Sequence, residues 1–375
     1  MKNMLYIVLL ILFTGCIEEY TPKGIEEITD LLVVEGTITN GESVFRLSRS
    51  VGLSEQLTGE EGINNATVFV EIENGERLPG VFNGSGTYIV STGELDKEKK
   101  YCLYIAVDGE EYRSDFLSPL FTPEIDRLNL TKRNTGDPVY LCVSTHDPTD
   151  QSRYYLWSYK EIWEVKADLY ANYGFLNGEL MFFSLMTAEN TYYCWGRDSS
   201  KVLLLGSSEK LTENIIYENR LKEMVASDDR LSILYYVVVK QTQIRKETYD
   251  YCCNIQKNIE QTGSIFAPVP SEMNGNIRSV TNPDLPVIGY IDVSTTTLKK
   301  EFFPSTTDIY EAPRSTCFSD VTDDPEYEYP VYGYYENYPW DDPPKLTFAP
   351  HLCVDCRLKP RATKNRPDFW PNAHF

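Results

Sequence analysis

The stretch ATVFVEIENGERL, residues 66–78, alternates apolar and polar side chains and then reaches a turn signal. One face of an extended chain would carry four apolar residues: Ala66, Val68, Val70 and Ile72. That period of two is what a half-buried β-strand requires. Asn74-Gly75 follows, and both residues tolerate the positive φ of a tight hairpin turn. The stretch therefore predicts a strand that turns back on itself in an antiparallel sheet.

The same pattern recurs on both sides of this stretch. Residues 31–50, LLVVEGTITNGESVFRLSRS, hold two strand-like runs around Asn40-Gly41. Residues 101–114, YCLYIAVDGEEYRS, turn at Asp108-Gly109. Six or seven short strands with closely spaced turns are typical of an antiparallel β-sandwich, which we predict over residues 31–117.

A second, larger domain is predicted over residues 118–375. It begins with SPLFTPEIDRL, residues 118–128, whose two prolines indicate a junction. Strand-like runs follow, and LSILYYVVVKQTQI at residues 231–244 is the most strongly β-prone of them. The fold class is therefore mainly β, with an N-terminal sandwich and a β-rich C-terminal domain.

One helix interrupts this second domain. Tyr251, Ile255 and Ile259 recur every four residues, which is the spacing of one helix face. Gly263 follows and is a common helix stop. We predict a helix near residues 247–262.

Residues 1–15 have the features of an export signal. Lys2 precedes an apolar run from residue 4 to residue 13, which is shorter than the roughly 20 residues that cross a bilayer. Thr14-Gly15 directly precedes Cys16, and this ending resembles a bacterial lipobox. The resemblance implies that Cys16 is the lipidated first residue of the mature chain. We expect no cofactor other than this covalent lipid.

Residues 16–30 are acidic and lack a strong period, so they are interpreted as a tether. Glu18 and Glu19 resemble the signal that exports Bacteroidota lipoproteins to the cell surface, although acids also suit any solvated tether. The alternative is an ordinary signal peptide that is cut nearby and leaves Cys16 free for a disulfide.

Composition excludes one class of partner. The 375 residues carry a net charge of −21, which repels phosphate backbones and argues against nucleic-acid binding. The aromatic content of 13%, with 27 tyrosines, favours folded domains with aromatic-lined surfaces over a disordered acidic chain.

Eight cysteines remain after Cys16 and permit up to four disulfides in an oxidising compartment. The candidates are Cys102, Cys142, Cys194, Cys252, Cys253, Cys317, Cys353 and Cys356. We expect most of them to be oxidised, with Cys353 and Cys356 bonded to each other or to nearby cysteines. The full connectivity stays open. A zinc site at His351, Cys353 and Cys356 is a less favoured alternative, and no metal site is predicted.

Motifs for catalysis are absent from the sequence. HExxH, GxSxG, a Walker loop and GxGxxG do not occur, and only three histidines exist. His146 lies beside Asp147, but a strand-ending turn with Pro148 explains this group better than acid-base chemistry. We expect a protein that is not an enzyme, while paired carboxylates for glycoside hydrolysis stay an open alternative.

The most unusual stretch is PEYEYPVYGYYENYPWDDPP, residues 325–344. Its prolines predict that it holds neither a regular helix nor a central strand. Amphipathic rings suit binding surfaces, so the candidate binding residues are Tyr332, Tyr334, Tyr335 and Trp340. The alternative is a long loop that packs onto the second domain. Asp320, Asp323 and Asp324 lack the spacing of an EF-hand loop, so calcium is not favoured there.

Several segments together resemble one family. They are LLVVEGTITNG, GSIFAPVPSEMNGNIRSV, PVIGYIDVSTTTLKKEFF and the tail CVDCRLKPRATKNRPDFWP. In this order they resemble the Bacteroidota lipoproteins catalogued as domain-of-unknown-function 4249. The resemblance implies an N-terminal sandwich of the prealbumin-like or immunoglobulin-like type. Family members are commonly encoded beside TonB-dependent outer-membrane receptors.

From these features we expect a protein that is anchored to the outer membrane by lipid and exposed at the cell surface. It would bind an unknown ligand and assist a TonB-dependent β-barrel receptor in uptake. An adhesin or structural surface protein is the alternative, and a hydrolase of extracellular polymer is a third hypothesis.

Overall fold

The computed structural model describes residues 30–50, 62–176, 179–184, 190–261, 275–315, 317, 332–335 and 346–371. Cys16, the export signal and most of the tether lie outside these ranges. The fold is mainly β, as predicted. Within the described ranges, no helix is both long and apolar enough to span a membrane.

The strands that precede the junction are β1 Leu32–Gly36, β2 Gly41–Arg49, β3 Thr67–Ile72, β4 Arg77–Phe82, β5 Thr87–Gly93, β6 Tyr101–Val107 and β7 Glu110–Ser114. After the junction come β8 Ile125–Thr131, β9 Val139–His146, β10 Tyr154–Lys166, β11 Ala171–Leu176, β12 Glu179–Phe182, β13 Tyr193–Ser199, β14 Leu204–Ser207, β15 Ile215–Met224 and β16 Leu234–Gln243. The last strands are β17 Ile277–Ser279, β18 Thr296–Pro304, β19 Tyr332–Tyr335, β20 Leu346–Phe348 and β21 Ala362–Thr363. Helix α1 spans Lys246–Gln261, helix α2 spans His351–Val354, and 3₁₀ turns occupy Asp229–Leu231 and Cys356–Leu358.

The first domain is one sheet folded over a single core. Its strand order is β1-β2-β5-β4-β3-β6-β7-β17. Strand β4 joins the two halves because it pairs with β5 on one side and with β3 on the other. Phe45 and Leu47 from one half share a core with Val68, Val70 and Ile105 from the other half. This is the predicted sandwich.

Two of the three predicted hairpin turns are confirmed, whereas at Asn40-Gly41 the glycine already belongs to β2 and the β1–β2 pairing ends at Gly36 and Phe45. Strands β3 and β4 are joined through Asn74-Gly75, and Gly75 has a φ of +90°. Asp108-Gly109 joins β6 to β7 with φ values of +54° and +85°. These positive values are why the sequence needs glycine at the second turn position.

A late segment of the chain returns to this first domain, and it corrects the predicted boundary. Strand β17 pairs with β7, and Ile288 and Val293 form parallel bridges to Val33 and Ile38. Ile277, Val287, Ile291 and Val293 are buried in the first core. Residues 277–293 therefore belong with residues 31–117, and the prediction of one continuous domain from 118 to 375 is wrong for this segment.

The second domain is also a sandwich. A six-stranded sheet runs β18-β16-β10-β13-β21, with β14 paired to the end of β10, and a three-stranded sheet runs β15-β9-β8. Leu141 and Val143 from the smaller sheet share a core with Tyr155, Trp157 and Val237 from the larger one. Helix α1 begins three residues after β16, and its range confirms the predicted helix.

A buried ionic cluster links the two sheets of this sandwich. Glu161 on β10 has no exposed side-chain surface. It accepts from Lys222 on β15 at 2.5 Å, from Arg230 at 3.2 Å and from the Tyr235 hydroxyl at 2.6 Å. Burial and then the Glu161 charge raise the pKa of Tyr235 well above its ordinary value, so this hydroxyl keeps its proton and donates. The carboxylate thus links β10 of the larger sheet to β15 of the smaller sheet through Lys222.

The returning segment provides a stability prediction. Ile291 is 1% exposed in the first core. Ile291→Ala should lower the free energy of unfolding by about 2–5 kcal/mol, because it leaves a cavity. Leu298→Ala on β18 is the control, since Leu298 is 56% exposed and its loss should change stability by about 0.5 kcal/mol or less. Urea unfolding measures both, and equal small effects would show that the segment is not part of the core.

Candidate functional site

A pocket of about 730 Å³ lies between the junction segment and the second sandwich. Its walls are residues 119–126 from the junction, residues 146–152 from the turn after β9, and Gln243 at the end of β16. Pockets of roughly 300–1,000 Å³ are the size that encloses small-molecule ligands, and they occur preferentially between domains. The pocket is therefore the candidate functional site.

The junction wall is held in an extended form by the returning segment. Leu120 bridges to Ser294 in parallel, and the Thr122 backbone N–H donates to the Thr295 hydroxyl at 2.9 Å. The Thr122 hydroxyl oxygen also accepts from the Gln243 backbone at 2.9 Å. Phe121 lies between these two anchored residues and remains 51% exposed at the pocket.

The second wall is a turn organised by one carboxylate. Asp147 accepts from the backbones of Thr149, Gln151 and Ser152 and from the Thr149 hydroxyl, at 2.7–2.9 Å. Burial opposes ionisation of Asp147, but the hydrogen bonds from Thr149 and Ser152 outweigh it and hold its pKa below the ordinary value. The predicted strand-ending turn at His146 is confirmed, because β9 ends there.

His146 lies at the pocket rim with a carboxylate partner. Its Nδ1 is 2.8 Å from both carboxylate oxygens of Asp126 on β8. A histidine and aspartate could form part of a catalytic triad. The serine that lines the pocket is Ser152, which is buried and donates its backbone N–H to the Asp147 carboxylate at 2.7 Å. The arrangement therefore gives the pocket a fixed polar rim.

An ion pair beside the pocket fixes the two sandwiches to each other. Asp292 in the returning segment is 1% exposed and pairs with Arg245, which directly precedes α1. The same carboxylate accepts from the Arg245 backbone at 2.8 Å and from the Thr248 hydroxyl at 2.7 Å. Arg245 also donates to the Ser118 carbonyl at the start of the junction. Three segments distant in sequence thus meet at one buried carboxylate.

Four of the eight candidate cysteines form two disulfides. Cys194 on β13 bonds to Cys356, and Cys317 bonds to Cys353, with Cα–Cα distances of 5.6 and 5.7 Å. The neighbours in the CxxC motif therefore take separate partners and are not bonded to each other. Both sulfurs are used in disulfides, so the alternative zinc site loses two of its three ligands.

The other four candidates are free, so the expectation that most would be oxidised is wrong. Cys102 on β6 stands opposite Glu71 of β3, and Cys142 on β9 stands opposite Asn129 and Arg220. Cys252 and Cys253 lie on α1. Burial and then the Glu71 charge raise the pKa of Cys102 to about 12, so this thiol is inert at neutral pH.

The expectation that the tyrosine-rich stretch holds no central strand is wrong. Tyr332–Tyr335 form β19, which lies inside a four-stranded sheet of order β12-β11-β19-β20. Pro330 and Pro339 fall on either side of this strand, so every residue within it can join the ladder. For the candidate binding residues Tyr332, Tyr334 and Tyr335, the structure therefore describes the position of the backbone in β19. Trp340 and the three aspartates weighed for calcium lie outside the described residues.

Sequence reasoning identified the junction but missed the pocket. Phe121, Glu124 and Asp126 fall within the proline-containing stretch that indicated a domain boundary. The sequence feature that could have indicated a site is Phe121, which lies between Pro119 and Pro123 and is followed by the acidic residues Glu124 and Asp126. Nothing in the sequence placed this stretch beside the turn at His146.

A family model described as "Domain of unknown function (DUF4249)" matches residues 17–300. No curated protein matches the chain.

The disulfide pattern is tested by counting thiols. Alkylation of the unfolded, unreduced protein should label Cys102, Cys142, Cys252 and Cys253, because each lacks a disulfide partner. Peptide mapping should recover the linked pairs Cys194–Cys356 and Cys317–Cys353. A reduced sample, in which all eight sites react, is the control. A peptide with Cys353 bonded to Cys356 would contradict the structure.

Proposed function

We propose, since the chain belongs to the DUF4249 family, that it is a lipid-anchored binding protein of the cell surface that assists a transporter. The observation that carries this proposal is the pocket of about 730 Å³ at the domain junction. Its walls are fixed by backbone pairing and by the Arg245–Asp292 ion pair. A preformed site of this kind binds a small ligand without a large ordering penalty.

The pocket chemistry supports binding over catalysis. Asp147 is occupied by the hydrogen bonds of its own turn, and His146 is paired with Asp126. Among the described residues that line the pocket, no hydroxyl or thiol hydrogen-bonds the His146 ring, so the nucleophile–base contact that acyl transfer requires is not formed there. We therefore favour a non-enzymatic role over the hydrolase alternative.

The N-terminal sequence supports the location. The short apolar run that ends at Thr14-Gly15-Cys16 favours acylation of Cys16, and stable anchoring needs more than one acyl chain. Glu18 and Glu19 favour export to the surface of the outer membrane. Binding alone provides no energy for import. The partner we propose is therefore a TonB-dependent β-barrel receptor, which the family resemblance suggests.

Two measurements on intact cells test this function. Protease added outside should digest the wild-type protein, because the anchor holds it at the surface. Cys16→Ser should abolish stable membrane association and serve as the matched control, since it removes only the acylation site. Crosslinking in the wild-type cells should recover a β-barrel receptor.

Protection of the wild-type protein from external protease, together with no barrel in the crosslinked material, would contradict the proposal. Mass spectrometry of the N-terminal peptide adds an independent check. It should show a diacylglycerol on Cys16, and an unmodified thiol there would remove the anchor from the account.

A further inference from the structure

We propose that the junction pocket takes a neutral ligand that combines a flat apolar face with several hydroxyl groups, for which a saccharide ring is the chemical type. This inference rests on the binding function proposed above and names the ligand class of the same site.

The apolar part of the pocket suits the C–H face of a ring. Five apolar residues line it: Pro119, Leu120, Phe121, Pro123 and Pro148. Single exposed apolar side chains are common on protein surfaces, but here they converge on one concavity. The 51% exposed ring of Phe121 provides the flat contact. The volume of about 730 Å³ suits a ligand of a few linked rings.

The charges of the pocket disfavour an anionic ligand. Its described lining residues include no lysine or arginine, and three carboxylates stand among them: Glu124, Asp126 and Asp147. The lining imidazole is that of His146, and its Nδ1 already faces the Asp126 carboxylate at 2.8 Å. A carboxylate or phosphate entering the site would therefore meet repulsion without a counterion.

The same groups give a cation little to bind. Asp147 is committed to its turn, and Asp126 is committed to His146. Glu124 is exposed, and an ion pair in that setting is weakened by water and salt and adds little affinity. What remains for a ligand is the Glu124 carboxylate as an acceptor and the exposed Gln151 side-chain amide as a donor and acceptor. Hydroxyl groups both donate and accept, so they match this set.

The experiment is calorimetric titration of the purified full-length protein with defined probes. The neutral probes are maltohexaose, xylohexaose and laminarihexaose, and the charged probes are hexalysine and hexagalacturonate. At least one neutral oligosaccharide should bind with a Kd below about 1 mM. Its affinity should not change with salt, because neutral contacts are not screened.

Two substitutions test whether the oligosaccharide binds in the pocket. Phe121→Ala should raise the Kd of the neutral oligosaccharide about tenfold, because the flat contact with the ring is lost. Phe82→Ala is the matched control, since Phe82 is 45% exposed on β4 and does not line the pocket, and its Kd should stay within about twofold. Thermal unfolding of each variant confirms that the fold is retained.

Three outcomes overturn the ligand class. They are binding of charged probes alone, neutral binding that Phe121→Ala leaves unchanged, and no neutral binding up to about 1 mM. Binding of a charged probe that Phe121→Ala abolishes would keep the pocket as a binding site and reject only the saccharide class. Failure of the surface anchoring or of the transporter partnership appears separately, in the protease and crosslinking measurements.

Discussion

The buried carboxylate of Asp292 is the constraint on which the arrangement of the two domains depends. At 1% exposure it has lost its water, and an unpaired charge in that position would be strongly destabilising. Arg245 and Thr248 supply the missing partners, and Arg245 reaches on to Ser118. The junction, the start of α1 and the returning segment are therefore held at one point, and each sandwich is placed relative to the other.

The pocket follows from this placement. Its junction wall begins one residue after Ser118, and its lining residue Gln243 lies two residues before Arg245. The described lining residues come from the junction and the second sandwich, and the first sandwich contributes through the backbone pairing that supports the junction at Leu120. The connections between rigid sheets carry the candidate function, as loops supported by a scaffold commonly do.

The sequence predicted the parts of the fold that depend on local patterns. The hairpins at Asn74-Gly75 and Asp108-Gly109 and the range of α1 were predictable, because turn chemistry and periodicity act over a few residues. The return of Ile277 to the first sheet was not, since its partner Ser114 is far earlier in the chain. The same limit applies to Cys194, whose disulfide partner is 162 residues away. The pocket was missed because two distant connections form it.

A double-mutant cycle on Arg245 and Asp292 tests whether this ion pair holds the two domains together. The free energy of unfolding is measured for the wild type, Arg245→Ala, Asp292→Ala and the double variant. Arg245→Ala should lower the free energy of unfolding by about 3 kcal/mol, because it removes the cation from a buried carboxylate. The double variant should lose less than the sum of the single losses, with a coupling of at least about 1 kcal/mol. Additive losses would show that the pair does not hold the domains together and would contradict the account.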